Sequence, residues 1–407
     1  MSSKDSFIVG LDLGSTKTCA LVCEPVQNGK LRVVGLGSAE SKGWRRGVIV
    51  NLDSALLSVK KAVEAAEDAA GVPISNAFVG VGGPHIKGVN VSHATVLGRT
   101  SQAKREVTGE DVRKIFQAAQ GVSLPADRKI VYAERQEYLL DSQDGIRNPV
   151  GMVGSRLEVN LHLVTASTSA HENVVTAVNR AGIVVNETIY EGLAAAEACL
   201  TPDERELGAA LIDIGGANSH LVVYHGGAVR YSGVIPIGGE HFTNDIAVGL
   251  RTPIPEAEKM KIVWGQQDPS NSEEGELEVA SVGERPARTV SYAMLGEIIE
   301  PRAQELIEIV AQELDRSGLR GMLGGGVVLT GGGGKLGGLI GLAERTLELP
   351  ARLGQPYGLE MMGEALPDAA YATLVGLVLH GNRLRFLRAT RNAGFGAKLW
   401  GIFRGGN

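Results

Sequence analysis

Two segments about 200 residues apart share one order of elements, and this repeat constrains the fold more than any other feature of the 407-residue chain. Each begins with an apolar run that carries an aspartate near its end: residues 7–13 with Asp12, and residues 209–214 with Asp213. A glycine turn, a second apolar strand, a tight turn and a third strand follow in both. The repeat predicts an internal duplication, and the alternation of strands with helices predicts an α/β architecture.

The segments between the repeats predict how the chain is divided. Apolar residues recur at helical spacing in 52–70, which Asn51 or Asp53 can cap and Gly71 can close. Similar patterns predict helices at 171–181, 193–200, 256–264, 292–316 and 370–380. Segment 82–164 is mixed, and 265–290 is polar, which predicts a surface excursion. We expect a first core at 1–81 and 165–205, an insertion at 82–164, a second core at 206–244 and 325–385, a small subdomain at 245–324, and a linker with a terminal helix at 386–407.

Charge is unevenly distributed along the chain. The formal net charge is −6, yet residues 381–407 carry six basic residues and no acidic one. The acidic remainder does not suit nucleic acid, whereas the basic end suits an anionic surface. We therefore expect no nucleic-acid partner.

Cysteine usage and hydropathy predict the compartment. Cys19, Cys23 and Cys199 are too few for a disulfide framework, and no histidine or second cysteine pair lies near the first two in sequence, so we expect buried thiols in a reducing compartment. Residues 1–6 are polar and resemble no signal peptide. No apolar stretch reaches the ~18 residues that cross a bilayer. These features predict a cytoplasmic protein.

The two aspartate hairpins have the composition of a phosphate site. In the first, Asp12 ends a strand and Gly14, Ser15, Thr16 and Lys17 follow. Backbone N–H groups in such a turn can point at phosphate oxygens, the lysine adds a positive charge, and the aspartate can hold Mg²⁺ through water. One such turn arises often by chance, and two unrelated β-turns are the alternative.

The second hairpin continues from Asp213 into Gly215, Gly216, Ala217 and Asn218. Two such hairpins that face one another can hold a polyphosphate and a metal ion between Asp12 and Asp213.

Two further elements suit a nucleoside. An apolar strand runs into Gly331, Gly332 and Gly333, with Lys335 close behind, and glycines let a flat base and a ribose lie against the backbone. Glu258 and Lys261 share one helix face and can bind ribose hydroxyls, although such a pair is often solvated surface.

At these residues the sequence resembles the superfamily of actin, sugar kinases and heat-shock chaperones. Segments 12–18, 213–219 and 329–339 match its two phosphate motifs and its adenosine motif, and Gly239 with its neighbours resembles a glycine pair of the chaperones. Within the superfamily the sequence is similar to the bacterial cell-division FtsA family over nearly its whole length, through segments 9–17, 145–151, 204–208, 281–286 and 300–302.

The resemblance implies a bilobed actin-like ATPase fold with duplicated cores, an inserted subdomain of the FtsA type at 82–164 and a C-terminal amphipathic helix. It implies that ATP and Mg²⁺ bind between the lobes. It also implies a cell-division role at the inner face of the cytoplasmic membrane, where the protein recruits FtsZ, associates with itself and meets other divisome proteins. The C-terminal tail of FtsZ is expected on the small subdomain, with Arg285, Arg288, Glu300 and Arg302 as candidate contacts.

Departures from the family pattern concern hydrolysis. Ala217 and Asn218 stand where the second phosphate loop usually has glycine and threonine, and His220 stands where a second aspartate is frequent. Binding should survive on backbone contacts, so we expect ATP binding with weak or no ATPase activity. Glu191 stands where actin-like polymerases can carry a water-positioning carboxylate, and we take it with Asp12 and Asp213 as the catalytic candidates.

The chain end has the pattern of an interfacial membrane helix. Phe395, Leu399, Ile402 and Phe403 fall at helical spacing beside Trp400, and Lys398 and Arg404 lie outside that apolar face. A terminal helix docked on the core is the alternative. One such tail binds weakly because ordering it costs about as much as its contacts supply, so self-association would provide avidity.

Two other functions share these motifs. An actin-like pilus-assembly adaptor has the same cleft and insertion, but the basic amphipathic end argues against it. A small-molecule kinase of the superfamily would need a catalytic base and an acceptor pocket in the first lobe, and no matching acidic motif is found there.

Overall fold

The structure is a computed structural model that describes residues 7–26, 30–98, 103–265, 275–282, 286–360 and 368–392. The strands are β1 Ile8–Leu13, β2 Lys17–Pro25, β3 Leu31–Glu40, β4 Trp44–Arg45, β5 Val48–Ile49, β6 Asn76–Val81, β7 Lys87–Val96, β8 Arg105–Glu106, β9 Arg128–Leu140, β10 Gln143–Ile146, β11 Val153–Gly154, β12 Arg156–Ser167, β13 Val184–Tyr190, β14 Ala209–Ile214, β15 Ser219–His225, β16 Ala228–Ile235, β17 Glu276–Val279, β18 Arg288–Ser291, β19 Val327–Thr330, β20 Ala351–Leu353 and β21 Leu359–Glu360. The helices are α1 Leu52–Ala70, α2 Gly109–Gln120, α3 Thr168–Arg180, α4 Glu191–Cys199, α5 Pro202–Leu207, α6 Gly239–Leu250, α7 Ile254–Gly265, α8 Tyr292–Ser317, α9 Leu339–Leu347 and α10 Ala372–Asn392.

Two sheets of one topology confirm the duplication. The first contains the order β3-β2-β1-β6-β13 and the second the order β16-β15-β14-β19-β20. In each, the aspartate-bearing strand pairs antiparallel with the next strand of its hairpin and parallel with a later strand. The central strands are apolar and buried, as expected for strands that are covered on both faces.

Strand register places both aspartates at the same edge of their sheets. Asp12 pairs with Cys19 and Asp213 with His220, one residue before each strand ends. Because parallel strands end at the same edge, β6 brings Gly80 toward Asp12, and β19 brings Gly331 toward Asp213. The fold thus collects the glycine turns beside the carboxylates.

The insertion is a sheet of order β10-β9-β12-β7 with α2 packed on it, and it has its own apolar core. It also bonds to the second core. Asn90 Nδ2 donates to the Arg230 carbonyl at 2.9 Å, and His162 Nε2 lies 2.8 Å from Ser232 Oγ. The insertion is therefore joined to β16 of the second core by side-chain hydrogen bonds.

Most described residues of segment 265–290 are exposed or partly exposed, as expected for a surface excursion, but the segment also contains a hairpin that was not predicted. Within it β17 and β18 form an antiparallel hairpin, and Val279 and Val290 of this hairpin are buried in the core of the second half. Four-residue strands in a polar segment give too short an alternation to be recognised in sequence.

The last helix, α10, is longer than the predicted 370–380. It continues through Gly381, where a Cβ would lie 2.5 Å from the Phe78 ring, so this glycine serves close packing on the first core. Gly376 packs against α4 in the same way, since its Cβ would lie 1.8 Å from the Ala194 carbonyl oxygen. Among the described helices, none is long and apolar enough to cross a membrane.

Candidate functional site

A cleft of about 460 Å³ lies between the duplicated cores, lined by both aspartate hairpins. The hairpins touch. A Cβ on Gly216 would lie 2.8 Å from Thr16 Cγ2, so the second turn approaches the first as closely as glycine permits. The cleft brings together all of the predicted phosphate and adenosine residues, namely Asp12, Gly14, Ser15, Thr16, Lys17, Asp213, Gly215, Gly216, Ala217, Asn218, Gly239, Glu258, Lys261, Gly331, Gly332, Gly333 and Lys335, together with Glu191.

Three carboxylates share this cleft. Burial, with the charges of Glu191 and Asp213, raises the pKa of the Asp12 carboxyl to about 8. Burial also raises the pKa of Asp213, against the opposing effects of His220 and of a hydrogen bond from Thr373. Ionising Asp12 and Asp213 together is therefore costly unless a cation joins them.

A magnesium ion fits this donor set. Asp12 Oδ1 is buried and has no hydrogen-bond partner in the structure. No three His, Cys, Asp or Glu side chains of the described ranges converge as a metal cage. Mg²⁺ commonly keeps several waters and takes only one or two protein carboxylates plus substrate phosphates, which matches Asp12 and Asp213.

His220 also lines the cleft, and its contact with Glu191 was not predicted from the sequence. Its Nε2 lies 3.0 Å from Glu191 Oε2, at the start of α4. Although burial opposes protonation, this hydrogen bond and the nearby carboxylates raise the pKa of His220. The register of β14 with β15 sets His220 opposite Asp213, but the sequence offers no sign that it reaches Glu191.

The start of α10 also contributes unpredicted contacts. Thr373 Oγ1 donates to Asp213 Oδ2 at 2.9 Å, and the Lys17 ammonium lies 3.7 Å from the centre of the Tyr371 ring. In this structure Lys17 is therefore held by a cation–π contact at the cleft wall. Residues 160 positions apart meet here, and no local pattern could have predicted the Thr373 contact.

Two ion pairs lie at the residues that were predicted to bind the nucleoside. Lys261 Nζ lies 2.7 Å from Glu258 Oε2 and donates to the Gly239 carbonyl at 3.1 Å, so α7 is tied to the first turn of α6. Lys335 Nζ lies 2.7 Å from Asp368 Oδ2. The ribose role of Glu258 and Lys261 stays a prediction.

The described partner candidates, Arg288, Glu300 and Arg302, do not line the cleft. Arg302 is held by both carboxylate oxygens of Asp245, with its Nε 2.7 Å from one of them, and Arg288 donates to the Leu250 carbonyl. Glu300 is exposed on α8. Arg285 and the predicted membrane residues Phe395, Lys398, Leu399, Trp400, Ile402, Phe403 and Arg404 lie outside the described residues.

The two cores have the same sheet topology, and the cleft between them is lined by one aspartate hairpin from each. This arrangement defines an actin-like ATPase fold. Comparison with solved structures agrees. A chain of a PilM-PilN type IV pilus biogenesis complex gives a TM-score of 0.65 at 16% identity, covering 92% of this chain and 98% of that one. MreB5 of Spiroplasma citri bound to ADP gives a TM-score of 0.54 at 14% identity, and the match covers 97% of this chain and 100% of MreB5. Likenesses this distant show the fold alone.

Sequence comparison identifies the family. The cell division protein FtsA of Pseudomonas aeruginosa is 42% identical over 375 residues, which are 92% of this chain and 89% of that protein. The family model of the cell division protein FtsA matches residues 210–376, and that of the SHS2 domain inserted in FtsA matches 83–165. The chain belongs to the FtsA family of cell-division proteins.

Proposed function

We propose that the cleft binds ATP with Mg²⁺. The observation that carries this proposal is the contact of the two aspartate hairpins, in which Gly216 meets Thr16 and both Asp12 and Asp213 line one cavity. Backbone N–H groups of the two turns would hold the phosphates, and the aspartates would hold the metal through its waters. Bound Mg²⁺ would supply positive charge to the phosphate oxygens.

The adenosine would lie along the glycine turn after β19. A Cβ on Gly331 would come within 2.3 Å of Asp213 Oδ1, and one on Gly333 within 2.4 Å of Ile214 Cγ2. Neither position has room for a side chain, so backbone atoms form the surface of the cleft along which the adenosine would lie. Glu258 and Lys261 stand at the same end for the ribose. Glu191 is the candidate for positioning water. Ala217, buried in the second turn, adds a methyl group where phosphate approaches, so hydrolysis should be weak.

The cellular role we infer is that of an adaptor. The ATP-bound chain would tether FtsZ filaments to the inner face of the cytoplasmic membrane at the division site, self-associate and meet other divisome proteins. Family membership supports this role, as does the basic amphipathic pattern at 395–404. The small subdomain, formed by α6, α7, α8 and the β17–β18 hairpin, would receive the FtsZ tail.

Capture of a peptide with the FtsZ C-terminal sequence tests the adaptor role. We expect the full chain to bind this peptide and Glu300→Lys to weaken binding up to about fivefold, since loss of an exposed ion pair costs at most about 1 kcal/mol. Glu64→Lys, an exposed reversal on α1, is the matched control and should bind as the unmodified chain does. No capture by the full chain would contradict the adaptor role and favour the pilus-assembly alternative.

A further inference from the structure

His220 connects the two cores across the floor of the cleft. It belongs to β15 of the second core, only 4% of its surface is exposed, and its Nε2 lies 3.0 Å from Glu191 Oε2. Glu191 follows β13 of the first core directly. Since a carboxylate only accepts hydrogen bonds, Nε2 carries the proton and donates it.

The imidazole ring is held in place by neighbours that leave it little freedom. Tyr190 meets it edge to face, with ring centres 5.3 Å apart and planes at 76°. Tyr190 is itself fixed, since its hydroxyl donates to the Gly233 carbonyl at 2.9 Å. A Cβ on Gly192 would lie 3.0 Å from His220 Cβ, so the first turn of α4 packs directly on the histidine.

Glu191 is confined from the other side by the end of β6. A Cβ on Gly82 would lie 2.0 Å from Glu191 Oε2 and 2.9 Å from Oε1, so only glycine leaves room for the carboxylate there. Glu191 is thus clamped between Gly82 and His220, with one oxygen bonded to the imidazole.

We propose that His220 is a positioning residue that fixes the Glu191 carboxylate at the phosphate end of the cleft, so that Glu191 can orient water toward bound nucleotide. The inference rests on the proposed ATP binding. It assigns a role to a position where the family pattern has aspartate, an acceptor that could not donate to Glu191.

The test compares single-turnover ATP hydrolysis and affinity for a non-hydrolysable ATP analogue in the full-length protein. His220→Ala should lower turnover by about tenfold to a hundredfold, since misplacement by ~1 Å can cost that much. Affinity for the analogue should change less than about threefold, because Glu191 acts on water rather than on nucleotide binding. His220→Gln, which keeps a side-chain N–H donor, should restore most of the turnover. The double variant with Glu191→Ala should be no slower than Glu191→Ala alone.

A matched control removes a buried histidine elsewhere. His162→Ala, in the insertion, should lower thermal stability but leave turnover of bound ATP unchanged. Failure of the unmodified chain to bind the analogue would refute the proposed function itself. If the analogue binds, any one of four results overturns the role of His220. The first is that the unmodified chain turns over ATP no faster than Glu191→Ala, and the second is that His220→Ala turns it over as fast as the unmodified chain. The other two are that His220→Gln restores no turnover, and that the double variant is slower than Glu191→Ala by the same factor that His220→Ala alone causes.

Discussion

Asp12→Asn should weaken Mg²⁺-ATP binding by about tenfold to a hundredfold and, at the same time, stabilise the ligand-free protein above pH 8. The first effect follows because the charged acceptor that would hold the metal's waters is lost, and a hydrogen bond to a charged group is worth roughly 1.5–3 kcal/mol. The second follows because the variant removes an ionised carboxylate that burial, Glu191 and Asp213 disfavour. Calorimetric titration and thermal unfolding measure the two effects on one preparation.

The pH dependence has a definite sign. The pKa of Asp12 is raised from 3.8 to about 8 in the folded protein. Its contribution to folding stability is therefore fully present below pH 3.8, and it is lost progressively as the pH rises from 3.8 to about 8. Metal binding needs the ionised form, so affinity for Mg²⁺-ATP should increase from pH 6.5 to 8.5, a trend that Asp12→Asn should lack. Asp144→Asn, an exposed change in β10, is the control. If ligand-free Asp12→Asn and the unmodified chain unfold at the same temperature above pH 8, the claim that Asp12 is destabilised by burial beside Glu191 and Asp213 is contradicted.

Deletion of residues 395–407 should release the protein from anionic vesicles while ATP binding is kept. Each large apolar side chain buried in the interface contributes about 1.5–3 kcal/mol, and each basic residue near anionic lipid about 1 kcal/mol. Ordering the segment offsets much of this, so we expect weak binding of the full chain and background binding of the truncated one. Co-sedimentation with vesicles of anionic and of neutral lipid measures the difference.

The composition of the tail provides matched variants. Trp400→Ala and Phe403→Ala should each lower binding to both kinds of vesicle. Lys398→Glu should lower binding to anionic vesicles alone, and this loss should be largest at low salt, where charges are screened least. A truncated protein that still sediments with anionic vesicles would show that another surface binds the lipid.

Many helices and strands could be predicted because capping residues, glycine turns and apolar periodicity determine them locally. The bounds of α1, Leu52–Ala70, match the prediction, since Asn51 caps the helix and Gly71 adopts the left-handed conformation that closes it. The two aspartate hairpins were also found, because strand periodicity and glycine turns are local signals.

Contacts between distant segments could not be predicted. The Thr373 contact with Asp213 and the hydrogen bond from His220 to Glu191 depend on how α10 and α4 pack, which no local pattern encodes. The predicted helix 370–380 ends before α10 does, and no local pattern shows that Gly381 packs on Phe78 within a continuing helix.

A crystal structure of the protein with Mg²⁺ and a non-hydrolysable ATP analogue would show directly whether the two aspartate hairpins share one nucleotide. We expect one triphosphate held between turns 14–17 and 215–218, with the metal beside Asp12 and Asp213 and the base along Gly331–Gly333. A nucleotide bound elsewhere, or one that contacts a single hairpin while the other faces solvent, would contradict it.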